Sequence, residues 1–359
     1  MCDYFSNDEL LESPIKRAAY SDRTSYLMAE MSRLAYFKFE GGSNLDEIIT
    51  QLRSLLPDNN KLPALEAMIR AQVKTLSEAE SKAILSEILD QSGFSLIETF
   101  SDPATGAQAF LCKRSSQDIA ILAFRGTELN LRDIKADIKA RLVPVEHKGK
   151  TVQIHGGYMN QFASLRKDII AELARDEAKD LQLFITGHSL GGALAITAVK
   201  FLASDITGAC YTFGSPPVGT KTFDSDIKTP IYRIVNHVDI VPRLPNPVLV
   251  FAIRLFATFI EIVLTPFSSL ISQVKESKWF DGLSKGLIDA QKYRQSGYGS
   301  YLVGEGNDVR LKYSVSVYDR FIWWAKQFSN LFQGEFKLLS DHSIETYSKK
   351  LATWATQRK

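Results

Sequence analysis

A strand–turn–helix pattern around Ser189 constrains the fold of this chain more than any other feature. The apolar residues 183–185 predict a buried strand, and the alanine-rich residues 193–198 predict the helix that follows. Residues 187–191 between them read Gly-His-Ser-Leu-Gly, a G-x-S-x-G pattern. Such a turn holds its serine in a strained backbone conformation, and the glycines on either side avoid a collision across it. The pattern predicts a serine that attacks acyl carbonyls, and the alternative is an ordinary strand-to-helix turn.

A nucleophilic serine needs a general base, for which the histidines are the candidates. The chain has five: His147, His155, His188, His237 and His342. His188 lies inside the turn and should point away from the serine. In α/β-hydrolases the residues follow the order serine, acid, histidine. This order leaves His237 and His342 as candidate bases.

Asp239 is the candidate acid, because it follows a predicted strand at residues 232–235, and open α/β sheets carry functional residues past their strand ends. His237 precedes Asp239 by two residues, which breaks the chain order and gives poor geometry, so we interpret it as a loop or packing residue. His342 lies in a polar loop before a predicted helix and is the preferred base. The neighbouring Asp341 either biases this histidine electrostatically or caps the helix.

Five segments of the sequence, taken together, resemble those of a known protein family. They are Ala123-Phe-Arg-Gly-Thr127, Ile154-His-Gly-Gly-Tyr158, Thr186-Gly-His-Ser-Leu-Gly-Gly-Ala193, Tyr211-Thr-Phe-Gly-Ser-Pro216 and Asn236-His-Val-Asp-Ile-Val-Pro-Arg-Leu-Pro245. In this order they resemble the class 3 lipases, the fungal-type triacylglycerol lipase family. The resemblance implies an α/β-hydrolase fold, with a central, mostly parallel sheet flanked by helices and carrying helical insertions. It also implies a structural role for His155.

By position, the resemblance implies catalytic roles for Ser189 as nucleophile, Asp239 as acid and His342 as base. It places Thr127 at the oxyanion position, where its backbone N–H, helped by its hydroxyl, would act together with the N–H of Leu190. Donors of this kind contribute about 3 kcal/mol each to the transition state. No metal or cofactor is implied.

The bulk composition narrows the function classes. A net charge of +2 gives no global electrostatic argument for nucleic-acid binding. The cysteines, Cys2, Cys112 and Cys210, lack metal-site spacing, and the last two are predicted to be buried thiols. Residues 1–10 are acidic and lack an apolar core, so we expect no secretory signal peptide. The expected location is cytoplasmic or peripheral to a membrane, or outside the cell after export by a non-classical route.

Along the chain we predict one α/β-hydrolase domain spanning residues 1–359. Residues 25–37 have the apolar spacing of a helix, and residues 94–124 have the pattern of strands joined by a turn. Two helical insertions are predicted, at about residues 44–92 and 246–296, because the family does not need either.

Two segments are candidates for a lid over the site. Residues 128–136 are charged with helical spacing and lie near the family's lid position, although a solvated surface helix has the same pattern. Residues 248–264 are apolar with one narrow polar stripe. They fit a lid or interface-binding helix, a buried helix or, against their two charges, a transmembrane helix. The lysines and aromatic residues that follow favour contact with a membrane or lipid-droplet interface through residues 248–292.

These observations predict a serine carboxylic ester hydrolase, with a lipid or other ester as substrate. A lipase that acts on acylglycerols through an acyl-enzyme is the leading interpretation. The alternatives are a phospholipase A1 and a soluble short-chain or feruloyl-type esterase. An alternative of another class is a catalytically silent, lipase-like lipid-binding protein, against which the complete triad argues.

Overall fold

The computed structural model describes residues 4–11, 19–37, 77–126, 142–202, 206–237, 239, 241–243, 292–316 and 341–358. The candidate lids at 128–136 and 248–264 and most of the two predicted insertions lie outside these residues. Among the described residues, no helix is both long enough and apolar enough to cross a membrane.

Ten strands form the β structure among the described residues. They are β1 Ser95–Asp102, β2 Ala107–Arg114, β3 Ile119–Phe124, β4 Leu142–His147, β5 Lys150–His155, β6 Gln182–His188, β7 Thr207–Phe213, β8 Ile231–Asn236, β9 Tyr298–Val303 and β10 Arg310–Lys312. Eight of them make one sheet in the order β1-β2-β3-β6-β7-β8-β9-β10, while β4 and β5 form a separate hairpin. From β3 to β9 the neighbours are parallel, and both ends of the sheet are antiparallel. The predicted α/β-hydrolase fold, with its mostly parallel sheet, is confirmed.

In the part of the chain that the structure describes, seven α-helices accompany the strands. They are α1 Asp8–Leu11, α2 Asp22–Leu34, α3 Glu78–Gln91, α4 Gly156–Leu173, α5 Leu190–Leu202, α6 Lys221–Asp224 and α7 Ile344–Gln357. The cap of α7 is Ser343, whose hydroxyl accepts a hydrogen bond from the N–H of Thr346. The alternative that Asp341 caps this helix is therefore wrong, because the serine lies directly before the first turn and already satisfies one of its unpaired N–H groups.

The sheet is buried on both faces. Alternate residues of β3 contribute to two different apolar clusters, Ile121 to one and Leu122 to the other. The first cluster packs the sheet against α2, α3 and α7, and the second packs it against α4 and α5. Burial on both faces explains why the central strands read as continuous apolar runs instead of alternating polar and apolar residues.

The parallel arrangement brings several strand ends to one edge of the sheet. β6 ends at His188, directly before Ser189, and β8 ends at Asn236, three residues before Asp239. The third candidate, His342, reaches the same edge from the loop that precedes α7. That helix packs against α2, and the Trp354 indole N–H donates a 2.9 Å hydrogen bond to Asp22.

Candidate active site

Ser189 lies on a sharp turn between β6 and α5. Its φ of 55° places a non-glycine residue in the left-handed region, which stores backbone strain. A 2.9 Å hydrogen bond from its N–H to the carbonyl of Phe213, at the end of β7, holds this conformation. The turn has no room for a side chain at Gly187, since a Cβ there would lie 2.2 Å from the carbonyl oxygen of Gly191. The two glycines of the sequence pattern are therefore required by close backbone packing.

The imidazole of His342 bridges the two other candidate catalytic residues. Its Nε2 lies 2.8 Å from Ser189 Oγ, and its Nδ1 lies 2.7 Å from Asp239 Oδ2. A carboxylate can only accept a hydrogen bond, so Nδ1 carries the proton and Nε2 accepts from the serine hydroxyl. All three side chains are buried. The structure thus brings together the nucleophile, acid and base candidates, although His342 lies 153 residues after Ser189 and 103 residues after Asp239 in the chain.

Both oxygens of the Asp239 carboxylate have further donors. The N–H of Val241 donates to Oδ1 at 2.9 Å, and the hydroxyl of Tyr347 donates to Oδ2 at 2.6 Å. Burial, and next the negative charge of Asp239, raise the pKa of Tyr347 well above its ordinary value. The tyrosine therefore stays protonated and remains a donor. The contact of Tyr347 with the candidate acid could not be read from spacing alone.

Gly214 provides the space in which the acid and the base meet. It follows β7 with a φ of 59°, and a Cβ built on it would lie 2.8 Å from Asp239 Oδ2 and 3.0 Å from His342 Nδ1. A side chain at this position would push the two groups apart. The glycine belongs to the Tyr211–Pro216 segment, for which the sequence indicated no individual role.

Of the two oxyanion candidates, only Leu190 is described by the structure. It begins α5, and the N–H groups in the first turn of a helix have no partner within the helix and lie at the positive end of its dipole. Thr127 lies outside the described residues. The preceding Gly126 is described and lies against the turn, because a Cβ there would be 2.5 Å from the carbonyl oxygen of His188.

From the sequence, His188 was expected only to point away from Ser189. The structure also shows a polar partner at each nitrogen of its ring. Its Nε2 lies 2.6 Å from the carbonyl oxygen of His342, and its Nδ1 lies 2.8 Å from the hydroxyl of Tyr36. Burial, and next the neighbouring His342, lower the pKa of His188 well below its ordinary value, so it is neutral. The histidine beside the nucleophile therefore contacts the loop that carries the candidate base.

The match to a known family covers this site in part. Residues 121–249 match the family model described as Lipase (class 3), a range that holds most of β3, the Ser189 turn and Asp239. The central part of the chain therefore resembles the class 3 lipases. His342 lies beyond the matched range and is connected to it by the geometry described above.

The individual proteins that this chain resembles are distant from it. It is 30% identical over 175 residues to chloroplastic phospholipase A1-Igamma1 of Arabidopsis thaliana, covering 39% of this chain and 34% of that protein. It is 29% identical over 163 residues to a lipase of Rhizomucor miehei, covering 42% of this chain and 44% of that protein. The matches thus span less than half the length of these curated relatives. A solved triacylglycerol lipase superposes with a TM-score of 0.47 at 18% identity, covering 85% of this chain and 91% of the other.

Proposed function

We propose that this protein is a serine carboxylic ester hydrolase, and specifically a lipase that cleaves acylglycerols through an acyl-enzyme. The observation that carries the proposal is the hydrogen-bonded series Ser189–His342–Asp239, with the serine held in a strained turn. This is the arrangement that activates a serine for acyl transfer.

In the first half of the reaction, Ser189 Oγ attacks the ester carbonyl carbon while His342 Nε2 takes the hydroxyl proton. The carbonyl oxygen becomes an oxyanion, for which we propose the N–H groups of Leu190 and Thr127 as donors. The intermediate collapses when the bond to the alcohol oxygen breaks, and His342 returns the proton to that oxygen. Asp239 accepts from Nδ1 throughout and so stabilises the imidazolium that forms.

The second half releases the fatty acid. Water attacks the acyl-enzyme carbonyl, and His342 Nε2 takes a proton from the water. The ester bond to Ser189 then breaks, and the proton returns to the serine oxygen. The three residues finish in their starting protonation states, so the reaction consumes only ester and water.

The substrate class rests on the relatives. One is named a phospholipase A1 and another a lipase, which supports the ester bond of a glycerolipid as the target. The named phospholipase favours phospholipase A1 activity as the second candidate function. Contact with a lipid interface through residues 248–292 remains part of the proposal, as does a single domain spanning the whole chain.

The test is hydrolysis of 4-nitrophenyl esters from acetate to palmitate, below and above the aggregation point of each ester. Ser189→Ala should lose turnover while keeping its fold, and Ser225→Ala, an exposed serine, should behave as the wild type. Preference for long chains with a rise in rate at aggregation supports the lipase, and fatty-acid release from triacylglycerol emulsions against phosphatidylcholine vesicles separates it from a phospholipase. Preference for dissolved short esters would make it an esterase. Failure of a fluorophosphonate probe to label Ser189 would make it a silent binding protein.

A further inference from the structure

Two consecutive carbonyl groups in the loop before α7 are held by buried side chains. The amide Nδ2 of Asn236 donates to the carbonyl oxygen of Asp341 at 2.8 Å. The Nε2 of His188 lies 2.6 Å from the carbonyl oxygen of His342, the next residue. The first side chain comes from the end of β8 and the second from the end of β6. The backbone of the proposed base is thereby attached to the sheet at two successive peptide units.

The hydrogen atoms of the His188 ring can be assigned from its partners. A carbonyl oxygen only accepts, so Nε2 must carry the proton that it donates to His342. In a neutral imidazole the other nitrogen then accepts, and the Tyr36 hydroxyl is the donor at 2.8 Å. The His342 carbonyl thus requires the Nε2-protonated tautomer, and the Tyr36 hydroxyl supplies the donor that the remaining nitrogen, Nδ1, then needs.

Tyr36 also lies against the turn that leads to the proposed oxyanion donor Thr127. A Cβ on Gly126 would be 2.2 Å from the Tyr36 hydroxyl oxygen. The missing side chain of Gly126 therefore gives the hydroxyl its path to His188. One short chain of contacts runs from this turn, through Tyr36 and His188, to the backbone of His342.

We propose that His188 is a positioning residue, which donates from Nε2 to the His342 carbonyl, is held at Nδ1 by Tyr36, and so fixes the imidazole of His342 opposite Ser189. The inference rests on the proposed function, because it concerns the proposed base. His188 can fix the position of the base relative to Ser189 because the two residues are adjacent in the sequence. The same strand end carries the nucleophile and the anchor of the base, so their separation does not depend on the packing of two distant elements.

A pair of matched variants tests this role. In His188→Gln the side-chain amide nitrogen can reach the Nε2 position and donate to the His342 carbonyl. In His188→Asn the shorter amide reaches only the Nδ1 position, toward Tyr36. Since small misplacements of a reacting group can lower rates by about 100-fold, we expect His188→Asn to lower kcat by about 10- to 100-fold with KM little changed. His188→Gln should recover most of that loss.

Tyr36→Phe is a milder substitution that tests the same role, and it can be measured even if a His188 variant fails to fold. It should lower kcat in the wild-type background and have little effect in His188→Gln, because the glutamine has no ring nitrogen at the Nδ1 position for Tyr36 to hold. Such non-additivity is the signature of groups that act through one another. Thermal unfolding of each variant separates loss of positioning from loss of fold.

The outcomes distinguish this inference from the proposed function. Wild-type protein that neither hydrolyses esters nor labels with a fluorophosphonate would remove the proposed function and this role with it. An active wild type with full kcat in His188→Asn, or with His188→Gln as impaired as His188→Asn, would overturn the positioning role alone. Equal effects of Tyr36→Phe in both backgrounds would also overturn the role assigned to Tyr36.

Discussion

The hydroxyl of Tyr347 donates a 2.6 Å hydrogen bond to Asp239 Oδ2, the same oxygen that lies 2.7 Å from His342 Nδ1. The phenol oxygen itself accepts from the backbone N–H of Asn236 at 2.9 Å. One buried tyrosine thus connects the acid to the end of β8. The carboxylate cannot rotate without breaking this contact, which fixes the direction in which Asp239 presents its oxygen to the base.

Tyr347→Phe should therefore weaken both activity and stability. The variant keeps the ring packing but leaves the Asn236 N–H without its acceptor and Asp239 Oδ2 with one donor fewer. We expect a loss of about 1–3 kcal/mol in the free energy of unfolding, and a fall in kcat of about tenfold. Thermal unfolding and ester hydrolysis measure the two effects, and Tyr313→Phe, at an exposed tyrosine, is the matched control. Unchanged kcat would show that the acid keeps its orientation by other means.

Gly191→Ala should prevent correct folding of the serine turn. A Cβ at this position would lie 2.3 Å from the carbonyl oxygen of Phe124, a backbone atom that cannot move without disturbing β3. We expect a loss above about 3 kcal/mol in the free energy of unfolding, seen as low soluble yield or a large drop in Tm. Gly106→Ala is the control, because its φ of 71° is strained but a Cβ there meets nothing within 4 Å. Similar losses for both variants would rule out the backbone collision as the cause.

The strain at Ser189 predicts that activity and stability conflict at this position. Ser189→Gly and Ser189→Ala both remove the nucleophile, but only the glycine adopts a φ of 55° without steric penalty. We expect the glycine variant to be more stable than the alanine variant by about 1 kcal/mol, from the cost of the left-handed conformation. Denaturant unfolding of the two inactive proteins measures the difference. An alanine variant of equal or greater stability would mean that the turn relaxes to an unstrained conformation.

The buried Lys200 predicts a pH-dependent contribution to stability. Its ammonium lies 2.7 Å from Asp226, and its side chain is 2% exposed. The hydrogen bond from Lys200 lowers the pKa of Asp226 below its ordinary value of 3.8. Because the folded state depresses this pKa, the stabilisation is fully present above pH 3.8 and is lost as the pH falls through the lowered pKa.

Asp226→Asn should accordingly lower the free energy of unfolding by about 2 kcal/mol near neutral pH, since it leaves a buried cation without its carboxylate. Thermal unfolding of wild type and variant from neutral pH to pH 3 should show a difference that is constant above pH 5 and narrows below pH 3.8. Asp176→Asn, in the exposed pair with Lys179, should show little difference at any pH. If the difference in stability between wild type and variant did not narrow in acid, ionisation of Asp226 would not be its cause.

Much of the framework could be predicted from the sequence. Apolar runs mark β3, β6 and β8 in the sequence, so these strands were predictable. The edge of the sheet at which they end was predictable as well. The strand-end rule also explains why Ser189 and Asp239 could be named as neighbours. His342 followed from chain order and from the family resemblance. The catalytic roles of these residues stay predictions.

The contacts around these residues could not be predicted in the same way. Tyr36 lies 152 positions before its partner His188, and Tyr347 lies 108 positions after Asp239. Neither pairing has a periodic or short-range signal, because each depends on how a helix packs onto the sheet. The contacts of His188 could not be predicted for the same reason. Its place in the motif indicated only that its side chain points away from Ser189. Its bond to the His342 carbonyl depends on a loop from another part of the chain.

The proposed base lies directly before α7, the helix near the end of the described chain that packs against α2. Ser189 is synthesised 153 residues before His342, so a growing chain contains the proposed nucleophile before it contains the proposed base. A chain that stops before residue 341 holds a serine with nothing to take its proton. The proposed mechanism therefore requires α7 and the loop before it to be in place. It predicts that molecules lacking residues 341–358 do not cleave esters.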